Sequence, residues 1–381
     1  MTEQPRDPMF MPLQGLQRLI DRLRDEHYLV IGPMVSDGAI VYDEIQSIEQ
    51  LPAGWFDHQD AGHYRLLKGD EGALFAHVVG PHSWKRYLHP PRLRLWRAVR
   101  TDNEVRIQDK DSESPRYAFL GVRACEIKAM GIQDRVFASG PKPDQGYADR
   151  RENALVIAVN CTRAGGTCFC VSMQSGPAVT EGHDLALTEL IEGDEHGFLV
   201  EAGSERGLEL LDALDLEPAG AVSIARARAA VAGAASQMGR TLDTANVKQL
   251  LQSNLEHPRW DEVADRCLSC TNCTMVCPTC FCTTVEDVNV LTAEPHRPLA
   301  ERWRRWDSCF SLDFSYIHGG NVRSTPKARY RQWLTHKLAH WIDQFGESGC
   351  VGCGRCITWC PVGIDITEEV AAIRAGQEQQ P

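Results

Sequence analysis

The sequence of 381 residues contains no run of eighteen or more apolar residues, because charged side chains interrupt every apolar stretch. A membrane-spanning helix needs about 20 mostly apolar residues, so none is predicted. The segment 1–13 contains Pro5, Pro8 and Pro12 but lacks the apolar stretch of a signal peptide. We therefore expect a cytoplasmic protein that has no membrane partner.

The sequence also lacks nucleotide-binding fingerprints and an excess of positive charge. No Gly-x-Gly-x-x-Gly follows a predicted strand and no Walker-type loop is present, so a nucleotide-binding fold is not expected on this chain. Lysine and arginine number 40 against 52 acidic residues, which gives a net charge of −12. That balance argues against nucleic acid and against an anionic membrane surface as partners. Local basic clusters at 92–97, 301–305 and 327–337 are interpreted as solvated faces or docking surfaces.

Cysteine, in contrast, is abundant and unevenly distributed, with 15 residues in the chain. In a reducing compartment, closely spaced cysteines indicate metal sites before they indicate disulfides. Two runs share the spacing Cys-x-x-Cys-x-x-Cys-x-x-x-Cys-Pro, which is typical of proteins that bind two [4Fe–4S] clusters. The first run is Cys267, Cys270, Cys273 and Cys277, and the second is Cys350, Cys353, Cys356 and Cys360.

The spacing also predicts how the two runs share their ligands. Three sulfurs converge from one tight turn, while the fourth cysteine, followed by proline, ligates the other cluster. The predicted sets are Cys267, Cys270 and Cys273 with Cys360, and Cys350, Cys353 and Cys356 with Cys277. Structural zinc is the alternative, but zinc sites usually pair Cys-x-x-Cys units across a loop. Two linked [4Fe–4S] clusters indicate an electron-transfer protein.

Four more cysteines follow two predicted strands in the first half of the chain. Strands at 117–122 and 154–159, with a helix at 127–137 between them, predict a parallel crossover. Cys125 follows the first strand, Cys161 follows the second, and Cys168 and Cys170 lie on the next loop. Ligands of α/β proteins bind at this carboxyl edge, so the four predict a third cluster. The alternative is a group of buried free thiols.

The remaining cysteines are Cys280, Cys282 and Cys309. They suit tuning of a nearby cluster's potential, another metal contact or ordinary core packing, and the residues alone favour none of these.

The predicted architecture has two parts. Residues 1–235 are expected to form an α/β or α+β domain, with a helix at 13–25, a strand at 73–79 and a hairpin at 185–202. Residues 236–381 are expected to form an all-helical two-cluster ferredoxin-type domain, with helices at 241–255 and 329–345 leading into the two cysteine runs.

The motifs in combination resemble a known family. They are Gly121-Val-Arg-Ala-Cys125-Glu-Ile-Lys, Asn160-Cys161-Thr-Arg, Thr167-Cys168-Phe-Cys170, Cys277-Pro-Thr-Cys280-Phe-Cys282 and Trp306-Asp-Ser-Cys309. From about residue 80 to residue 366 the chain resembles the iron–sulfur β subunit of cytoplasmic NAD(P)-linked [NiFe] hydrogenases, or sulfhydrogenases. It is similar too to the A subunit of anaerobic sulfite reductase. Because Cys280 and Cys282 belong to the shared pattern, the resemblance favours a functional role for them over core packing alone.

The resemblance implies a subunit of a hetero-oligomer that passes single electrons between other subunits. Those partners would be a flavin- and NAD(P)-binding subunit, a small iron–sulfur subunit and the large [NiFe] subunit. The chain lacks both the paired Cys-x-x-Cys sets of the nickel subunit and a flavin fingerprint. Catalysis is therefore expected on other subunits, and electron transfer within an anaerobic sulfite reductase is the alternative.

Overall fold

The computed structural model describes residues 7–69, 72–101, 104–108, 115–193, 195–289 and 298–378. The strands are β1 (Met9–Pro12), β2 (Leu29–Ser36), β3 (Ala39–Glu44), β4 (Trp55–Asp60), β5 (His63–Lys68), β6 (Arg92–Thr101), β7 (Glu104–Gln108), β8 (Tyr117–Val122), β9 (Leu155–Val159), β10 (Leu185–Glu192), β11 (Glu195–Ala202), β12 (Glu217–Pro218), β13 (Thr283–Asn289), β14 (Pro298–Trp306), β15 (Tyr316–Ile317) and β16 (Gly320–Asn321).

The helices are α1 (Leu13–Asp25), α2 (Lys85–Leu88), α3 (Ala124–Phe137), α4 (Gln145–Glu152), α5 (Glu205–Leu214), α6 (Ala221–Ser236), α7 (Val247–Ser253), α8 (Arg259–Arg266), α9 (Asn272–Met275), α10 (Pro326–Thr335), α11 (Trp341–Phe345), α12 (Arg355–Thr358) and α13 (Ile366–Glu378). A 3₁₀ turn covers Ile48–Gln50 and a π-helical turn covers His336–His340. No helix in the part of the chain that the structure describes is long and apolar enough to cross a membrane.

The larger sheet has eight strands among the described residues, in the order β12-β1-β11-β10-β9-β8-β2-β3. Its central pairs, β2 with β8, β8 with β9 and β9 with β10, are parallel. All five residues of β9 are buried and apolar, as a central strand covered on both faces requires. The predicted parallel crossover and the predicted hairpin, formed by β10 and β11, are both confirmed.

Helix α1 covers one face of this sheet, at the position that the sequence predicts. Its side chains Leu16, Leu19, Ile20 and Leu23 are fully buried and recur at helical spacing. They pack in one cluster with sheet residues that include Leu120, Ile157 and Leu187. One face of the sheet is thereby buried against α1.

The predicted strand at 73–79 is wrong, because this segment has no strand partner. Buried side chains satisfy its backbone instead. The N–H groups of Leu74 and Phe75 donate to the Glu189 carboxylate at 2.6 and 2.9 Å. Arg123 donates to the carbonyl oxygens of Phe75 and His77 at 2.9 and 2.7 Å. The apolar pattern of the segment reflects its burial and not a sheet ladder.

The prediction of an all-helical C-terminal domain is wrong between the two cysteine runs. Strands β13 and β14 form an antiparallel hairpin there, and β14 also pairs with β6 in a sheet of order β13-β14-β6-β7. Thr283, Thr284 and Val285 are β-branched residues that suit a strand. The partner β6 lies about 200 residues earlier in the chain, so local periodicity could not identify it. One sheet thereby joins segments on either side of residue 236.

Helices frame the two cysteine runs. The predicted helix at 329–345 is confirmed as α10, the π-helical turn and α11, which form one continuous helical segment. The predicted helix at 241–255 is shorter, as α7, and α8 is the helix that precedes Cys267. Buried aromatic side chains, including Trp260, Phe310 and Trp333, form a core against which six of the cysteines pack. The cysteine runs therefore lie at the edge of a hydrophobic core.

Candidate metal centres

Five cysteines from both runs line one cavity. Cys267, Cys270 and Cys273 belong to the first run, and Cys356 and Cys360 belong to the second. The walls are otherwise mainly apolar, formed by Leu268, Phe310, Tyr330, Trp333, Ile364 and Ile366 among others. Soft thiolate donors surrounded by apolar side chains fit an iron–sulfur cluster. The reduction potential of such a cluster depends on the side chains around it. The four cysteines of the first predicted set thus lie around one space, together with Cys356 of the second predicted set.

The two runs repeat one backbone conformation. The N–H of Ser269 donates to Cys267 Sγ, and the N–H of Gly352 donates to Cys350 Sγ, both at 3.5 Å. Each run then continues into a one-turn helix, α9 or α12. Hydrogen bonds to the sulfurs favour the thiolate and influence the potential of a bound cluster. The sequence repeat is therefore also a structural repeat.

The thiols of the second predicted set also lie close together. Burial raises the pKa of the Cys356 thiol, and the nearby charges of Cys350, Cys277 and Cys353 raise it further, in that order. Burial likewise raises the pKa of Cys350 to about 12. Such thiols lose their protons readily only when a cation compensates the charge, which a cluster iron does.

Cys277 differs from its neighbours because a buried lysine faces its sulfur. Lys337 is only 4% exposed, and its Nζ lies 3.3 Å from Cys277 Sγ and 2.9 Å from Thr279 Oγ1. Hydrogen bonding with Cys280 and the Lys337 charge lower the pKa of Cys277 well below its usual range. A lowered pKa favours the thiolate, which is the form that binds iron.

The third predicted set lies at the carboxyl edge of the larger sheet, as expected. Cys125 begins α3 directly after β8, and Cys161 follows β9, the parallel neighbour of β8. Burial raises the pKa of Cys168, with further contributions from the charges of Cys170 and Cys161. Burial also raises the pKa of Cys125, and the charges of Cys353 and then Cys170 raise it further. The set is therefore adjacent to the second cysteine run.

The loop that carries Cys168 and Cys170 packs directly on the second run. The N–H of Phe169 donates to the carbonyl oxygen of Gly352 at 2.8 Å. Gly352 has a φ of +64°, and a Cβ there would lie 2.6 Å from the oxygen of Phe169. A side chain at this position would be strained and would clash, so the close approach of the two segments requires glycine.

A buried ion pair that the sequence reasoning missed joins the same two segments. Arg355, between Cys353 and Cys356, donates from Nη2 to Glu126 Oε1 at 2.5 Å, and both side chains are at most 1% exposed. Tyr42 and Trp84 each donate to Glu126 Oε2 at 3.0 Å. Charged residues are seldom fully buried unless paired, so Glu126 next to Cys125 and Arg355 within the second run were the available signal.

Replacing Glu126 with glutamine is expected to destabilise the protein by about 3–5 kcal/mol, because the Arg355 charge would remain buried without its partner. Thermal unfolding of the anaerobic protein should show a fall in Tm of roughly 5–10 °C. The matched control is Glu347→Gln, since Glu347 pairs at the surface with Lys128 and Arg135 at 3.0 and 3.1 Å. Exposed pairs contribute about 1 kcal/mol or less, and equal shifts in both variants would contradict the expectation.

The three cysteines without a predicted role, Cys280, Cys282 and Cys309, line another cavity together. Within the described ranges, no three histidine, cysteine or acidic side chains converge closely enough for a single metal ion.

Comparison with known proteins agrees with this geometry. Residues 266–364, which contain both cysteine runs, match the model of a 4Fe-4S dicluster domain. The chain is 31% identical over 350 residues to "Sulfhydrogenase 2 subunit beta" of Pyrococcus furiosus, which covers 91% of this chain and 92% of the relative. The similarity therefore extends over the first half of the chain as well as the dicluster domain.

Proposed function

The chain belongs to the family of sulfhydrogenase β subunits, and from that premise we propose that it relays single electrons within a cytoplasmic [NiFe] hydrogenase. Its partners would be a flavin- and NAD(P)-binding subunit on one side and the small iron–sulfur and large [NiFe] subunits on the other. A [4Fe–4S] cluster supplies one-electron chemistry when bound. The protein's part is to hold such clusters at fixed positions and to shield them from water.

The observation that most strongly supports an electron-relay role is the cavity lined by Cys267, Cys270, Cys273 and Cys360. Its donors come from both runs, as in two-cluster ferredoxins. The second cluster would be held by Cys350, Cys353, Cys356 and Cys277. Cys356 borders the first cavity while belonging to the second set, so the two sites are adjacent. Two clusters at adjacent sites could exchange electrons within one chain.

A third cluster at Cys125, Cys161, Cys168 and Cys170 would extend this row of sites. Support comes from the position of Cys125, which packs in one buried cluster with Cys170 and with Cys353 of the second set. The three sets would then follow one another from the larger sheet to the dicluster domain. The far ends of such a row are where two different partners would dock.

Anaerobic purification of the chain from its native cells, with identification of what accompanies it, tests the partner assignment. We expect a flavoprotein, a small iron–sulfur protein and a nickel-containing subunit. Recovery with a siroheme protein would instead indicate the A subunit of an anaerobic sulfite reductase, and recovery of the chain alone would contradict a subunit role.

The Lys337→Met variant is expected to lower the reduction potential of the second cluster. A positive charge near a cluster stabilises the reduced, more negative state, and a unit charge about 5 Å away contributes roughly 3 kcal/mol at an effective dielectric constant of about 20. Relaxation of the surroundings offsets part of this energy. We therefore expect the reduction potential to fall by about 60–120 mV in an EPR-monitored redox titration, because about 59 mV corresponds to a tenfold change in the equilibrium constant.

Lys337→Arg is the matched control because it keeps the charge, and its potential should stay close to that of the unmodified protein. A potential that does not move in Lys337→Met, or that rises, would contradict the placement of this charge beside the cluster.

A further inference from the structure

The hairpin of β13 and β14 brings together cysteines that are far apart in the sequence. Its register pairs Thr283 with Trp306, so the residues just before and just after the hairpin lie side by side. The N–H of Asp307 donates to the carbonyl oxygen of Cys282 at 2.9 Å. Cys309 follows two residues later, which places it beside Cys282. The unpredicted sheet thus creates this cysteine group.

The group faces a cavity of about 180 Å³ lined by Cys280, Cys282, Cys309 and His336. A single water needs about 10–15 Å³ of such space, so the cavity holds far more than one atom. His336 opens the π-helical turn His336–His340. Turns of this type are frequent at functional sites, because the widened backbone shifts side chains out of the regular helical positions.

The surroundings favour an anionic group bound through sulfur. Lys337 and Arg323 also line the cavity, and Lys85, only 5% exposed, donates to the carbonyl oxygen of Cys280 at 3.2 Å. Thiolate donors select soft metals and iron–sulfur clusters, and an iron–sulfur cluster with its thiolates carries net negative charge that nearby cations stabilise. Three thiols and an imidazole therefore face one cavity, with several cations close to them.

We propose that Cys280, Cys282 and Cys309, with His336 as the fourth donor, hold a further [4Fe–4S] cluster. It is additional to the sets above and rests on the proposed function for its iron–sulfur chemistry. The site adjoins both sets of the dicluster domain. Lys337, which lines the cavity, lies with its Nζ 3.3 Å from Cys277 Sγ of the second set. Trp333 lines both this cavity and the cavity of the first set.

The test compares the full-length chain with the Cys282→Ser/Cys309→Ser double variant, both purified anaerobically. Iron, sulfide and zinc are counted per chain, and EPR is recorded after dithionite reduction. We expect the variant to lose about four iron and four sulfide, one [4Fe–4S] cluster, while the signals of the dicluster domain persist and report correct folding. Unchanged iron and sulfide would overturn the proposal. Loss of one zinc in their place would also overturn it and would indicate a Cys₃His zinc site.

The fourth donor is tested by His336→Ala against His340→Ala, its exposed neighbour one helical turn away. We expect His336→Ala to lose about one iron per chain and to give the EPR signal of a three-iron cluster in the oxidised protein, while His340→Ala is unchanged. Identical behaviour of the two variants would overturn the role of His336. Absence of any cluster signal in the unmodified chain would instead contradict the proposed function, so the two failures are distinguishable.

Discussion

The Cys360→Ser variant is expected to lose the same cluster as Cys267→Ser, although the two residues lie in different runs. Both thiols line one cavity, so replacing either with a harder hydroxyl donor removes a ligand from the same site. Each variant should lose about four iron atoms per chain. EPR spectra of the reduced proteins should then lack the same component.

Cys277→Ser provides the matched control because Cys277 lies in the first run but belongs to the second predicted set. Its spectrum should resemble that of Cys350→Ser and not that of Cys267→Ser. If the spectra group by run, with Cys277→Ser matching Cys267→Ser, the crossed ligation would be contradicted.

Replacing Cys125 with serine is expected to remove about four iron atoms per chain while the dicluster signals remain. Cys125 is buried beside Cys170 and Cys353, and it begins α3 at the edge of the sheet where ligands of α/β proteins bind. If the cysteines at this edge were only buried thiols, the substitution would leave the iron content unchanged. Iron and sulfide analysis of the anaerobic protein distinguishes a third cluster from a group of buried thiols.

The matched control is Met238→Leu. The Met238 sulfur lies 3.8 Å from Cys170 Sγ, so this variant alters the packing beside the same cysteines and keeps all four thiols. Its iron content should equal that of the unmodified chain. Equal losses in both variants would attribute the effect to packing, and no loss in Cys125→Ser would contradict a third cluster.

The features that could be predicted from the sequence depend on neighbouring residues. The apolar face of α1 recurs at helical spacing, and β9 is a short apolar run, so each can be recognised without knowing its partner. The same holds for the cysteine runs, whose ligand spacing is imposed by the geometry of the cluster. Local chemistry was sufficient for these elements.

The features that were missed depend on distant partners. β14 becomes part of a sheet through β6, and residues 73–79 find hydrogen bonds on Glu189 and Arg123 in place of a strand. The pairing of Glu126 with Arg355 joins residues 229 positions apart. A single sequence does not show which distant segments come into contact, so these contacts could be identified only from the structure.

The most direct test of two linked clusters is EPR spectroscopy of the anaerobically purified chain after reduction with dithionite, together with metal analysis. We predict iron and sulfide in equal amounts and the spectrum of reduced [4Fe–4S] clusters that interact magnetically, since the two ligand sets are adjacent. A protein that contains zinc and gives no reduced-cluster signal would contradict an electron-transfer role.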